Sequence, residues 1–376
     1  ATIGTFISIF MVPYNASIIA HEKMTAFAYL SILDVIFKLA ICYAIYITPY
    51  DRLKTFAVLG VAISFFVEII YYVYCKKKFE ECRYDFSLQK DLFKDIWAFA
   101  GWSLFGQTAW ILNTQGINLL TNVYFGVYYN AARGIAEQVN QKANQFVGGF
   151  MTSLNPQITK SYASGNKEYA FKLACRGARF SFYIMFLLSL PIMLESTQIL
   201  EVWLVAPPQW SNVFVVWTIL STFTLLLGNT LVTLQNAHGD IKNYQIVMTA
   251  VGCLPFPITW IVYKLGGPAV ASYWIFVFIY WLLIFIRFWL VRRSTGLPAK
   301  MYLVGVILKC HLTALLSSVI PLATMFVMPP TIVRLITIIA VCLISSSIVI
   351  YLWGIDEEER LIIKNQINKV INRNNT

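Results

Sequence analysis

Residues 329–353 read PPTIVRLITIIAVCLISSSIVIYLW, a stretch whose one charge is Arg334 and whose first two positions are prolines. A helix that crosses the hydrocarbon core of a bilayer needs about 20 mostly apolar residues, and this stretch supplies them. Ten further runs of the same kind precede it, at 1–20, 25–49, 53–75, 96–122, 124–152, 178–198, 212–236, 243–264, 267–291 and 302–327. Proline or glycine punctuates several ends, as at Pro207-Pro208 and Gly266-Gly267-Pro268. Eleven such runs leave no room for a separate soluble domain in 376 residues. The composition agrees: 58% of the chain is hydrophobic and 12% charged, half of the about 25% charged residues of a soluble domain. An ordinary soluble enzyme, a disordered chain and a secreted disulfide scaffold are excluded.

The net charge is +11, which in a soluble protein would point to nucleic acid. Here it resolves into topology. When the connections are assigned alternately to two sides, 20 of the 29 Lys and Arg fall on one side and six within the spans. The other side holds Arg52, Lys54 and Lys264. Such an asymmetry marks the basic side as cytoplasmic, places the C-terminus there, and leaves no basic excess for nucleic acid. Ala1 already lies in an apolar run, without the charged start of a signal peptide. The chain therefore reads as the later part of a longer one.

An internal echo extends this. Ala20-His21-Glu22-Lys23-Met24-Thr25-Ala26-Phe27 follows the first run, and Ala237-His238-Gly239-Asp240-Ile241-Lys242-Asn243-Tyr244 follows the seventh. At a constant offset Ala and His are identical, Met meets Ile, and Phe meets Tyr. Equivalent turns six spans apart imply parallel six-helix repeats. Spans 4–9 would then be one complete half, spans 1–3 the end of the preceding half, and spans 10–11 two additions, giving fourteen helices in all. The expected organisation is 1–75 as the end of an N-lobe, 76–95 as a basic cytoplasmic connector, 96–291 as a C-lobe, 292–353 as two added helices, and 354–376 as a charged cytoplasmic tail. In the connector, Phe86, Leu92, Phe93 and Trp97 would face lipid.

Within the spans, charged and amide side chains mark interior faces, because lipid does not tolerate them. In the fifth run Asn130, Arg133, Glu137, Asn140 and Asn144 recur at spacings of three and four, on one helical face. Gln138, Gln141 and Gln145 widen that face, and Ile135, Val139, Ala143 and Val147 form an apolar stripe opposite. Three readings fit: the wall of a polar cavity, a buried Arg133–Glu137 pair holding neighbouring helices, or an interfacial helix over 128–147. Asp34 and Lys38 stand four apart in the second run, either as a local pair or as an ion-coupling site, and Glu68 is a lone carboxylate in the third. Gln107 and Asn118 share a face of the fourth run, suited to interhelical packing or to a ligand. Near a span end, Arg334 is expected to snorkel to the interface.

Thr152-Ser153-Leu154-Asn155-Pro156-Gln157-Ile158-Thr159-Lys160-Ser161-Tyr162-Ala163-Ser164-Gly165 is the most specific stretch. With Ile19-Ala20-His21-Glu22-Lys23-Met24, Gly239-Asp240-Ile241-Lys242-Asn243-Tyr244-Gln245 and Phe99-Ala100-Gly101-Trp102, it resembles the O-antigen and capsule flippases of the multidrug/oligosaccharidyl-lipid/polysaccharide exporter superfamily. The resemblance runs the whole length, over what would be helices 4–14 of that fold. It implies an all-α transporter of two six-helix lobes plus two helices, working by alternating access in a bacterial cytoplasmic membrane. The substrate it implies is an undecaprenyl-diphosphate-linked oligosaccharide, with other polysaccharide-assembly proteins as partners and H+ or Na+ as coupling ion. On that reading Arg133 would pair with phosphate oxygens, with Asn130, Asn140, Asn144, Gln107 and Asn118 along the substrate path. Glu137, Asp34, Lys38 and Glu68 are the candidates for ion coupling.

Other signals bound the function. Seven cysteines form no CxxC pair, three histidines are scattered, and no GxxxxGK[ST] loop occurs, so neither a metal, a cofactor nor a built-in ATPase is expected. A sugar polymerase or ligase would need a large outer loop, and the longest outer connection, around Trp203–Ser211, is short. A multidrug cation antiporter of the same superfamily is the nearer alternative. Bases within the spans (Lys38, Arg133, Lys142, Arg287, Lys309, Arg334) outnumber the acids Asp34, Glu68, Glu137 and Glu195, a balance that suits an anionic ligand better than a cationic one.

Overall fold

A computed structural model describes residues 2–48, 51–82, 90–204, 206–361 and 364. Its described residues are helical with no strand. In a medium without water every backbone N–H and C=O must find its partner within the element, which the helix alone achieves in a single segment. The helices are α1 (Thr2–Ala20), α2 (Met24–Ile47), α3 (Arg52–Lys78), α4 (Lys90–Ile111), α5 (Ile117–Phe125), α6 (Val127–Ala163), α7 (Lys167–Leu194) and α8 (Ser196–Leu204). They continue with α9 (Ser211–His238), α10 (Lys242–Gly252), α11 (Pro255–Lys264), α12 (Ala271–Thr295), α13 (Ala299–Tyr302), α14 (Lys309–Val327) and α15 (Ile332–Val349). Three π-helical turns, Leu112–Gly116, Leu303–Leu308 and Ile350–Gly354, continue the helices they follow, the first two running on into α5 and α14.

Eight of these segments are long and apolar enough to cross a membrane: Met24–Ile47, Lys54–Lys78, Lys167–Leu194, Ser211–His238, Lys242–Lys264, Ala271–Thr295, Ala299–Val327 and Ile332–Gly354. That supports a multi-pass, all-α membrane protein. The expected spans at 1–20, 96–122 and 124–152 are helical too, but they do not join this set. In the first, Ile9–Ala20 is an apolar helix and the side chains of residues 1–8 lie outside the described residues. Gln107, Asn113, Gln115 and Asn118 dilute the second, and the third lies in α6, which carries polar residues along its length. α6 is also longer than a span: 37 residues correspond to about 55 Å of helix, well beyond a hydrocarbon core. The stretch Thr152–Ala163 continues this helix, and α7 starts at Lys167, eleven residues before the expected 178. α7 also ends at Leu194 instead of reaching 198, because Pro191 and the non-helical Glu195 precede the separate α8.

The chain divides into two compact units, Ala1–Phe93 and Lys94–Thr376. In the first, α1, α2 and α3 close on Ile18, Leu30, Val67, Tyr71, Cys75 and Phe79. α3 runs on to Lys78, three residues past the expected 75, and His21 stacks on Phe79 and bonds to Glu81. Phe93 and Trp97 are exposed, while Phe86 and the side chain of Leu92 lie outside the described residues. The two echoing turns share a backbone signature: Glu22 and Gly239, the paired residues after each histidine, both have positive φ, 55° and 92°. Only glycine adopts that region without strain, so the first turn holds a residue where the second has the one suited to it.

In the second unit, α7 and α9 are the most buried helices, packed between α6 on one side and α12 with α14 and α15 on others. Around them the outward side chains are apolar: Phe326, Val327 and Ile332 are 86%, 84% and 70% exposed. An apolar exterior of this extent requires lipid or a partner to cover it.

Two ion-pair clusters fasten the last helices to α7. Arg334 does not snorkel. Its Nη2 donates to Oε2 of Glu195 at 2.8 Å and its Nε lies 2.8 Å from Oε1, so the charge is neutralised inside instead of at an interface. Second, Arg179 Nη2 reaches Asp356 at 2.6 Å and Glu359 at 2.5 Å, Arg176 Nε donates to Glu359 at 2.8 Å, and Lys309 Nζ donates to Asp356 at 2.5 Å. The segment after α15 thus begins clamped, with Tyr183 donating to the carbonyl of Gly354 at 2.9 Å.

Both clusters give measurable outcomes. Arg334→Gln strands a carboxylate whose side chain is 1% exposed and should cost about 3 kcal/mol or more. The double change Glu195→Leu with Arg334→Leu should recover most of it in detergent unfolding; equal losses for single and double variants would contradict the pairing. Burial alone would raise the Asp356 carboxyl, but Lys309 and Arg179 hold it below its ordinary range. A depressed carboxylate adds stability that is present above its unfolded value, about 4, and lost as pH falls through the folded value. Proteolysis of the segment after Gly354 should accelerate only below about pH 4, and Asp356→Asn should be cut faster at neutral pH.

Candidate functional site

The second unit holds a cavity of about 470 Å³, lined from α4, α6, α9, α10 and α12. A smaller recess of about 50 Å³ adjoins it, and Trp110, Thr222 and Leu225 border both. Arg133, Glu137 and Asn140 line the recess, and Asn144 and Gln107 the cavity. Asn118 and Asn130 are half-buried and line neither. Asp34, Lys38 and Glu68 belong to the other unit: Lys38 Nζ donates to Asp34 at 2.6 Å as a local pair, and Glu68 is half-buried.

The helical period alone assigned one wet face to α6, with an apolar stripe opposite. Packing divides that face. Ala132, Ala136, Ala143, Val147 and Met151 enter a core with α7, α9 and α12. The polar arc starts at the edge of this buried stripe, with Arg133 and Asn140 each 8% exposed, and turns outward through Gln138, Gln141 and Gln145, which are exposed. The same helix is polar both towards the recess and away from it. Residues three and four apart share a face, but no periodicity shows where along that face the neighbours stop.

The recess is a set of directed polar groups. Thr222 Oγ1 donates to Asn140 Oδ1 at 2.9 Å, fixing the amide. Asn113 is 1% exposed, and its Nδ2 donates to the carbonyl of Gly252 at 2.6 Å and to the Tyr280 hydroxyl at 3.2 Å. It sits in the π-helical turn Leu112–Gly116, where the extra residue per turn shifts the register of side chains. The Arg133 guanidinium lies over the ring of Tyr273, 5.1 Å from its centroid. Its Nε is buried without a hydrogen-bond partner among the described residues, as are the Tyr273 and Thr218 hydroxyls. Glu137, one turn along, feels its charge, but the ion pairs of the described arginines involve Arg176, Arg179 and Arg334 and not Arg133. A buried, unpaired cation beside hydroxyl and amide donors is suited to an oxyanion.

Several lining residues escaped the sequence reading: Tyr273, Thr218 and Ser272 at the recess, and Asn229 and Asn236 at the cavity, while Arg287 was counted only among the bases within the spans and Gln245 only within a motif. A signal for them exists. Thr222, Asn229 and Asn236 on α9, and Tyr273, Tyr280 and Arg287 on α12, each recur every seven residues, two helical turns. Set in long apolar helices, both stripes look like isolated polar residues until they are placed face to face. No protein-family profile matches the chain, and neither a curated protein nor a solved structure matches it.

The division of α6 is testable by single cysteines in a background without the native seven. A small water-soluble thiol reagent should modify positions 134, 138, 141 and 145 readily and positions 132, 136, 143 and 147 at least about tenfold more slowly, because opening the core is needed first. Uniform reaction along the helix would contradict this packing.

Proposed function

We propose that this chain acts in a transporter that flips an undecaprenyl-diphosphate-linked oligosaccharide from the cytoplasmic to the outer leaflet of a bacterial cytoplasmic membrane. One observation carries the reading: a buried guanidinium, Arg133, without a carboxylate partner, opening beside an amide-lined cavity inside an apolar helical unit. A cation kept unpaired in a low-dielectric surround is costly, and a diphosphate that neutralises it offsets that cost on binding. The amides Asn140, Asn144 and Gln107 supply donors and acceptors of the kind sugar hydroxyls require. The resemblance to polysaccharide flippases names the substrate class, a fourteen-helix fold and alternating access. The same reading puts the basic connections and the C-terminus in the cytoplasm and assigns surface-polysaccharide biosynthesis, with assembly proteins as partners and no chemical catalysis.

H+ or Na+ would drive the return, with Glu137 the candidate nearest the ligand and Asp34, Lys38 and Glu68 candidates in the other unit. Glu137 also motivates the second reading, a multidrug cation antiporter, since a carboxylate in the recess could receive a cation. Arg133 beside it opposes that ligand by like charge.

In cells, Arg133→Ala in the full-length protein should reduce surface glycan by about tenfold or more, as loss of a charge-assisted contact worth about 1.5–3 kcal/mol implies, while the protein stays in the membrane. Wild-type glycan levels would remove Arg133 from the substrate path. Drug resistance lost in place of glycan would favour the antiporter.

A further inference from the structure

The seam between α9 and α12 carries a second guanidinium without a carboxylate partner among the described residues, with Tyr244 as its polar neighbour in the cavity. Arg287 borders the 470 Å³ cavity, and its Nε is buried without a hydrogen-bond partner among the described residues. The ion pairs of the described arginines do not include it. Its position is built. A Cβ at Gly228 of α9 would lie 2.2 Å from Arg287 Nη1, so the absence of a side chain there is what admits the guanidinium against the helix. Asn229, Asn236 and Gln245 line the same cavity, supplying amide donors around the cation.

Its separation from Arg133 follows from α9. Thr218 and Thr222 line the recess of Arg133, and Gly228 marks Arg287. Six to ten residues of helix separate the two levels, about 9–15 Å. The two phosphates of one diphosphate share a bridging oxygen and are too close to engage both cations together. The arginines are therefore separate positions along one polar seam, with Thr222 and Tyr280 between them.

We infer that Arg287 forms a second oxyanion site, distinct from Arg133, that takes an anionic oxygen group from the larger cavity. This rests on the reading that the cavity receives an anionic ligand, and it makes the path a pair of anion positions. Two sources could supply the oxyanion, the diphosphate itself or the carboxylate of an acidic sugar.

The test is equilibrium binding of inorganic pyrophosphate, and separately of glucuronate, to the purified full chain in detergent at low salt. Two sites are expected for the wild type. Arg287→Gln should retain the Arg133 site alone, and Arg133→Gln the Arg287 site alone. Gly228→Ala removes no charge but displaces the guanidinium, and should weaken the Arg287 site several-fold while leaving the other unchanged; it also covers the case in which Arg287→Gln fails to fold. Pyrophosphate as the better ligand at Arg287 identifies the phosphate source, and glucuronate the sugar carboxylate. A single wild-type site that Arg133→Gln abolishes, and that Arg287→Gln and Gly228→Ala leave intact, overturns the second site but not the proposed function. No binding of either anion to the wild type overturns both.

Discussion

A guanidinium cannot lose its charge at any accessible pH, so within a helical unit whose exterior is apolar each buried arginine must be neutralised or face a polar space. The second unit uses both solutions, in different places. Arg179 and Arg334 are matched to carboxylates on remote parts of the chain, and Arg133 and Arg287 form no ion pair among the described residues. The paired arginines tie α14, α15 and the segment after them to α7. The unpaired ones border the cavity. Sorting the buried cations by partner thus separates what holds the unit together from what can bind.

That separation explains why α7 and α9 have different characters although both are central. α7 presents Arg176 and Arg179 towards the C-terminal segment, where Asp356 and Glu359 meet them, and its remaining buried surface is largely apolar. α9 carries threonines, asparagines and a glycine on the side facing α12. Hydroxyls in α9 can return their protons to carbonyls one turn back, as Ser221 does to Thr218 at 2.7 Å. Such residues keep the helix intact when no ligand is bound and still offer oxygen to the cavity. A seam of this kind stays dry at its apolar flanks and polar at its centre without requiring permanent ion pairs.

The sequence showed the helices and their punctuation well, because spans are local: apolar length and a following proline or glycine suffice. It also matched the turns after His21 and His238, whose positive-φ residues Glu22 and Gly239 coincide in the echo. The long-range pairs were invisible. Arg334 and Glu195 are 139 positions apart, and either alone reads as a residue near a helix end. Arg133 was identified because its helix is unusually polar, yet its neighbours on α9 and α12 were not, since one polar residue every second turn vanishes in an apolar run. The polar face of α6 was legible, but not where along it burial of Arg133 and Asn140 gives way to the exposed Gln138, Gln141 and Gln145.

On the proposed function, the geometry also constrains how an anion moves through the seam. Binding at either arginine neutralises a charge that the fold leaves uncompensated, so neither position needs to be deep to be occupied. What separates them is a stretch without a cation, bordered by Asn140, Thr222, Asn113 and Tyr280, where Thr222 donates to Asn140 and Asn113 to Tyr280. An anion crossing that stretch must break those bonds or wait until helix movement does so. The hydrogen bonds between Thr222 and Asn140, and between Asn113 and Tyr280, each join α9 or α12 to α6 or to the π-helical turn after α4. A shift of those helices would open the passage and loosen the recess together, linking ligand movement to helix movement through groups that hold no charge.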